Sequence, residues 1–225
     1  MVGLISRAIL GLAFLLLVLA LLLFVAAGTL SYWQAWVYLA VFAVCTIFVT
    51  AYLFKYDKQL LANRVQAGPT AETQRSQQII QSLASVCFVA LYIVAGLDQR
   101  FHWSSVAPSV SLIADVVVAL GFAIVFLVFR ENSYTSAVVE VAAGQTVITT
   151  GPYSLVRHPM YAGAGLLVLA SPIALASWVA LAPAVLLMLA IVARLLDEEK
   201  LLAQNLDGYP AYTQQVRYRL LPFVW

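Results

Sequence analysis

Two polar clusters flank an apolar stretch in the carboxyl-terminal third of the chain, and their residue types could do chemistry. The first lies in GPYSLVRHPMY and holds Tyr153, Arg157, His158 and Tyr161; the second lies in ARLLDEEKLL and holds Arg194, Asp197, Glu198 and Glu199. Pro159, directly after His158, predicts a helix start, because proline is tolerated at the first helical position, where its missing N–H has no partner to lose. The free amides of that first turn, with the His158 imidazole and the Arg157 cation beside them, suit a carboxylate or phosphate. Gly151-Pro152 predicts a turn that folds Tyr153 back toward them.

The second cluster has the opposite sign. Arg194 and Glu198 are spaced i,i+4, which suits an ordinary surface ion pair as well as a functional one. Three adjacent carboxylates near a helix carboxyl end, which already carries partial negative charge, are unfavourable, and a cationic ligand relieves them. One cluster therefore suits an anion and the other a cation. A zwitterionic ligand with an additional positive centre, such as S-adenosylmethionine, satisfies both.

The elements that must position these residues are set by composition. The chain of 225 residues is 64% hydrophobic and 10% charged, with a mean hydropathy of +0.95, too apolar to expose to water. This predicts an all-α, polytopic helical membrane protein in a single domain. Cys45 and Cys87 both fall in apolar runs, with no CxxC or Cys/His spacing, and read as packing residues rather than metal ligands. A net charge of +2 spread over loops points away from nucleic acid.

Four spans are expected, near residues 8–27, 33–54, 79–97 and 107–129, with aromatic residues such as Tyr32, Trp33, Trp36, Tyr52 and Tyr56 at the interfaces. The polar segment 55–78 contains KYDKQLLANRV, where Leu60, Leu61 and Val65 share a face. It reads as an interfacial amphipathic helix or a solvated linker, broken at Gln66-Ala67-Gly68-Pro69-Thr70. With the amino terminus inside, eleven of the twelve basic residues fall on the cytoplasmic side and only Arg100 lies outside. Both termini and both polar clusters are then cytoplasmic.

The stretch between the clusters must consequently cross and return. Tyr161 and Arg194 are 33 positions apart, which allows two arms of about fifteen residues and roughly 22 Å each. That falls short of the roughly 30 Å hydrocarbon core. The hairpin is either sunken at its polar end or stops before the far side, with its tip near Ser171-Pro172 and Ser177-Trp178. Residues 1–130 supply the amino-terminal spans, and 131–225 the cofactor-binding region.

GPYSLVRHPMY, followed about thirty residues later by R-x-x-x-E-E and then by L-x-G-Y-x-x-Y-x-x-x-V-x-Y-R-L-x-P over residues 206–222, resembles the isoprenylcysteine carboxyl methyltransferase family and its bacterial relatives. The likeness covers residues 140–225. It implies an integral membrane methyltransferase, in a bacterial inner membrane, that uses S-adenosylmethionine without a Rossmann domain and acts on a lipophilic or lipidated substrate among membrane lipids. It carries cofactor contacts onto Gln145, Thr146, Val147, Ile148, Tyr153, His158, Pro159, Met160, Tyr161 and Glu198, and the substrate-carboxylate arginine onto Arg194. Glu140 stands where eukaryotic members have glutamine, and residues 204–209 lack their Phe-Gly.

Such a reaction asks for alignment more than for acid–base chemistry if the acceptor is an ionised carboxylate. Arg194 and Glu198 are then the catalytic candidates. An amine or thiol acceptor needs a base, with Glu198 or Glu199 as candidates. Asp115, inside the fourth span, is either a path-lining residue or a hydrogen-bonded packing residue. Arg217-Tyr218-Arg219 reads as a basic anchor and His102 as an interfacial residue. A phospholipid N-methyltransferase shares the same cofactor and topology. A membrane sterol-type reductase using NADPH carries a similar RH-x-x-Y element, but with Asn where this chain has Met160.

Overall fold

The computed structural model describes residues 2–65, 68–72, 74–142 and 144–225. Its regular elements are all helices, with no strand among the described residues. Four helices are long and apolar enough to cross a membrane: α1 (Val2–Ala27), α2 (Trp33–Tyr56), α4 (Arg75–Phe101) and α5 (Pro108–Glu131). Between them lies the short α3 (Lys58–Val65); beyond them come α6 (Pro159–Ala174), α7 (Leu181–Asn205) and α8 (Tyr209–Gln215). The architecture is the expected one, four spans followed by a helical hairpin.

Six of these helices close into a ring. α4 packs on α1, α1 on α2, α2 on α5, α5 on α6, α6 on α7, and α7 returns to α4. α5 and α6 cross closely where Gly121 and Gly163 face each other: a methyl group on Gly121 would lie 2.8 Å from the Gly163 carbonyl oxygen. Only glycine lets the two backbones approach this closely, as small residues do between membrane helices. Large apolar side chains on the outer faces, including Phe14, Val44, Phe48 and Ile113, remain exposed and suit a lipid environment.

Between Tyr161 and Arg194 the two arms, residues 161–174 and 181–194, are equal and close to the expected length, and α7 then continues past Arg194 to Asn205. Ser171 and Pro172 lie inside the last turn of α6, and the reversal falls at residues 175–180. The tip does not stop short. It meets the loop after α4, where buried Asp98 accepts hydrogen bonds from Ser104 N (2.7 Å), Ser104 Oγ (2.6 Å) and Ser177 Oγ (2.5 Å), and Trp178 N–H donates to Ser104 Oγ at 3.0 Å. Since α6 is only about 24 Å long, its other end must lie deeper than the ends of its neighbours.

Packing is densest in the half of the ring near this tip. Leu19, Leu23, Tyr38, Leu91, Tyr92, Val118, Ala174 and Leu175 form one core. Within it Tyr38 bonds Tyr92 (2.7 Å) and Ser171 (2.9 Å), and the Tyr32 hydroxyl donates to the Leu175 carbonyl. The opposite half, which carries all the basic residues except Arg100, is hollow.

α3 is the amphipathic helix the leucine spacing predicts. Asp57 caps it through Leu60 N–H (2.9 Å), and Leu60 and Leu61 are buried against Ala8, Leu53 and Phe129. Gln66 and Ala67 of the expected break, and the Val65 side chain, lie outside the described residues. α4 begins earlier than expected, at Arg75, because its polar first turns pack on α7 rather than meeting solvent.

Candidate active site

Local chemistry builds the site around the start of α6. Gly151 adopts φ +57°, and its missing side chain leaves room for Glu131, whose carboxyl carbon would lie 3.0 Å from an added methyl. The turn at Gly151–Ser154 brings Tyr153 inward, where its hydroxyl accepts from Asn132 Nδ2 at 2.9 Å. Burial pushes the Tyr153 phenol above its ordinary range. Pro159 is the first residue of α6, as the sequence predicts, and the first intrahelical bond runs from Ala162 N–H to the His158 carbonyl. The Met160 and Tyr161 amides therefore have no acceptor within the helix.

The elbow at Arg157 and His158 is pinned by the carboxyl-terminal tail. Arg157 N–H donates to the Tyr218 carbonyl (2.9 Å) and His158 N–H to that of Arg219 (3.0 Å). Glu199 then collects three partners: Arg219 Nε at 2.7 Å, Arg157 Nε at 3.0 Å in an ion pair without hydrogen-bond alignment, and His158 Nε2 at 3.2 Å. Burial alone would raise the Glu199 carboxyl, but hydrogen bonds from His158 and Arg219 and the charges of His158 and Arg157 outweigh it and hold it at about 2. Two expectations change accordingly. Arg157 is engaged by Glu199 rather than held ready for a ligand anion, and Arg219 is an internal partner rather than a surface anchor.

The i,i+4 spacing of Arg194 and Glu198 does not produce an ion pair. The Tyr161 hydroxyl stands between them, donating to Glu198 Oε2 at 2.5 Å and accepting from Arg194 Nε at 3.2 Å. Arg194 is instead paired with buried Glu72, 2.6 Å away. The same Nη1 also lies 3.2 Å from the side-chain oxygens of Gln77 and Gln81, and Nη2 donates to the Ala137 carbonyl (2.8 Å). Asp197 is likewise occupied, by Ser76 Oγ (2.9 Å) and Gln77 Nε2 (2.7 Å). Neither Asp197 nor Glu198 has a cation within 4.0 Å among the described residues, but Asp197 is held by these two neutral donors, whereas Glu198 has only the Tyr161 hydroxyl and faces a cavity.

These groups share one cavity of about 920 Å³. Its polar wall holds Tyr153, His158, Pro159, Met160, Tyr161, Arg194 and Glu198, together with Gln145, Thr146, Val147 and Ile148 from the loop between α5 and α6. That loop turns at Gln145, whose side chain accepts from Ala142 N–H at 2.9 Å, and Val147 packs with Leu206 and Tyr209. From the polar wall an apolar arm runs into the ring, lined by Val49, Leu53, Phe88, Phe122, Val125 and Leu167. The structure thus brings every residue expected to contact cofactor or substrate to one chamber, while Glu199, the other base candidate, does not line it. Glu140 also lines it, whereas Asp115 does not; its carboxylate oxygens have no hydrogen-bond partner among the described residues.

Several residues of the site escape sequence reasoning: Asn132 beside Tyr153, Tyr209 and Tyr212 from α8 and Arg64 from α3 on the wall, and Glu72 behind Arg194. Tyr212 donates to the Tyr153 carbonyl at 2.7 Å, and Tyr209 comes within 3.5 Å of His158 Nε2. Among the described residues no group of three His, Cys, Asp or Glu side chains is placed to hold a metal ion.

Residues 110–207 match the phospholipid methyltransferase family model. The matched stretch runs from α5 to just past α7 and includes the loop residues 145–148, the His158 elbow, Arg194 and Glu198. No curated protein matches the chain significantly. With four helices long and apolar enough to cross a membrane, the match supports a membrane methyltransferase.

Proposed function

We propose that this protein is an S-adenosylmethionine-dependent methyltransferase whose acceptor is carried by a lipid. The supporting observation is the single cavity in which a polar wall, suited to a zwitterionic cofactor, opens directly into an apolar arm. The residues present fit that cofactor. Glu198 faces the chamber without a counter-ion, the first-turn amides of α6 suit a carboxylate, and Tyr153 offers an aromatic face. When bound, the cofactor supplies an activated sulfonium methyl.

The protein's own contribution is alignment and exclusion of water. The Tyr161 hydroxyl fixes the Glu198 carboxylate, while Tyr209 and the tail-bound backbone fix His158. Glu199 is a poor base: Arg219, Arg157 and His158 engage its carboxyl and hold it at about 2, and it does not line the cavity. Glu198 is left as the group that takes a proton from an acceptor that has one to lose.

Two acceptor chemistries are open to this site. A carboxylate, as the likeness to isoprenylcysteine carboxyl methyltransferases implies, would bind Arg194, but would have to displace Glu72 at 2.6 Å. A lipid amine needs no free arginine and meets Glu198 as base. The Glu72 contact and the phospholipid methyltransferase match favour the amine. Purified protein incubated with methyl-labelled S-adenosylmethionine and mixed membrane lipids tests this. Label that stays non-volatile after base treatment supports N-methylation, label released by base as volatile methanol indicates a methyl ester, and no transfer to lipid contradicts the proposal.

A further inference from the structure

We infer that Arg64 is the binding site for an anionic group, a phosphate diester or a carboxylate, carried by a lipid whose chain fills the apolar arm. The inference rests on the methyltransferase reading of the cavity. Leu60 and Leu61 bury one face of α3 against the ring, so that Arg64, one turn further on, lines the cavity wall. Its guanidinium lies over the Phe129 ring (5.0 Å), donates to the Ser136 carbonyl (3.0 Å) and reaches Met160 Sδ at 3.9 Å.

What Arg64 lacks is a carboxylate. The other two arginines on the cavity wall each have one, Arg157 in Glu199 and Arg194 in Glu72, but no carboxylate lies within 4.0 Å of Arg64 among the described residues. Burial lowers its pKa from the ordinary value, an effect that Tyr161 opposes and the charge of Arg194 reinforces, so the charged form is held at a cost that an incoming anion would offset. A planar guanidinium presents parallel donors that match a phosphate or carboxylate.

Position argues that the anion belongs to a lipid. Arg64 stands between Met160, next to Tyr161 on the polar wall, and the apolar side chains Leu53, Leu61 and Val125. A headgroup anion at Arg64 would leave the neighbouring acceptor facing Tyr161 and Glu198 and the acyl chain in the arm.

The test uses full-length protein in detergent and its R64Q and R64K variants, titrated with dodecyl phosphate, dodecanol, inorganic phosphate and S-adenosylhomocysteine. Wild type should bind dodecyl phosphate about tenfold tighter than dodecanol, and R64Q should erase that difference while keeping its affinity for S-adenosylhomocysteine. Equal binding of the two dodecyl compounds by wild type, or a preserved preference in R64Q, overturns the assignment. Inorganic phosphate binding as tightly as dodecyl phosphate overturns the lipid source. Loss of S-adenosylhomocysteine affinity in R64Q would instead assign Arg64 to the cofactor and also overturns it. If R64Q does not fold, R64K decides: dodecyl phosphate binding should weaken about threefold or more with dodecanol binding unchanged, and unchanged affinity for both refutes the site. Failure of wild type to bind S-adenosylhomocysteine would remove the methyltransferase reading without touching the preference for phosphate.

Discussion

Glu72 and Arg194, 122 positions apart, meet at 2.6 Å behind the wall of the cavity, and the Glu72 carboxylate also accepts from Val139 N–H at 3.2 Å. This one contact ties the segment after α3 to α7 and to the loop that follows α5. It also neutralises the arginine that a carboxylate substrate would need. Removing either partner alone leaves a buried charge unpaired, which costs about 3–5 kcal/mol, whereas removing both costs less. E72Q and R194Q should therefore each melt well below wild type, and the double variant E72Q/R194Q above either single. Thermal melts of the four proteins in one detergent check this, and additive losses would show that the pair is not coupled.

Tyr161 joins Arg194 to Glu198 through its hydroxyl. Y161F keeps the ring and its packing against Leu195 and Leu220 but releases the carboxylate. Methyl transfer should fall about tenfold to hundredfold as Glu198 loses its fixed position, with the melting temperature lowered only modestly. Turnover at the wild-type rate would show that the phenol positions nothing.

The three-partner arrangement at Glu199 has a pH signature. A carboxyl held below its unfolded value contributes stability that is fully present above the unfolded value and is lost as pH falls through the folded one. For Glu199 that window runs from 4.5 down to about 2. Wild type should lose melting temperature steadily across it. E199Q, already less stable at neutral pH, should show a shallower decline over the same range.

The crossing of α5 and α6 sets the depth of the elbow. At Gly163 a methyl group would lie 2.9 Å from the Gly121 carbonyl oxygen, and a larger side chain would push the helices apart. Gly163→Leu should lower stability by about 1–3 kcal/mol and reduce cofactor affinity, because α6 carries His158 to Tyr161 at its start. Gly11, which has nothing within 4 Å, serves as the control: Gly11→Leu should change neither.

Much of this was legible in the chain because it depends on local chemistry. Continuous apolar runs announce the spans, Pro159 announces the start of α6, and the 33 positions between Tyr161 and Arg194 require a hairpin that returns both clusters to one end. What could not be read depends on long-range contacts. Arg194 and Glu198 have the spacing of an ion pair, yet a phenol from α6 enters between them and a glutamate from a distant loop takes the arginine. Arg157 looked available because nothing near it in the chain shows Glu199 arriving from α7, or the tail at Tyr218 and Arg219 closing behind it. Arg64 was hidden in the same way, since the leucine pattern of α3 says which face is buried but not that a cavity lies beside it.

The central claim is that the wall formed by Tyr153, His158 to Tyr161 and Glu198 holds S-adenosylmethionine. Calorimetric titration of the purified protein and of E198Q with S-adenosylmethionine, and separately with NADPH, tests it most directly. Wild type should bind S-adenosylmethionine and not NADPH, with affinity falling about tenfold or more in E198Q as the uncompensated carboxylate is lost. Binding of NADPH in place of S-adenosylmethionine, or S-adenosylmethionine affinity unchanged in a folded E198Q, would contradict it.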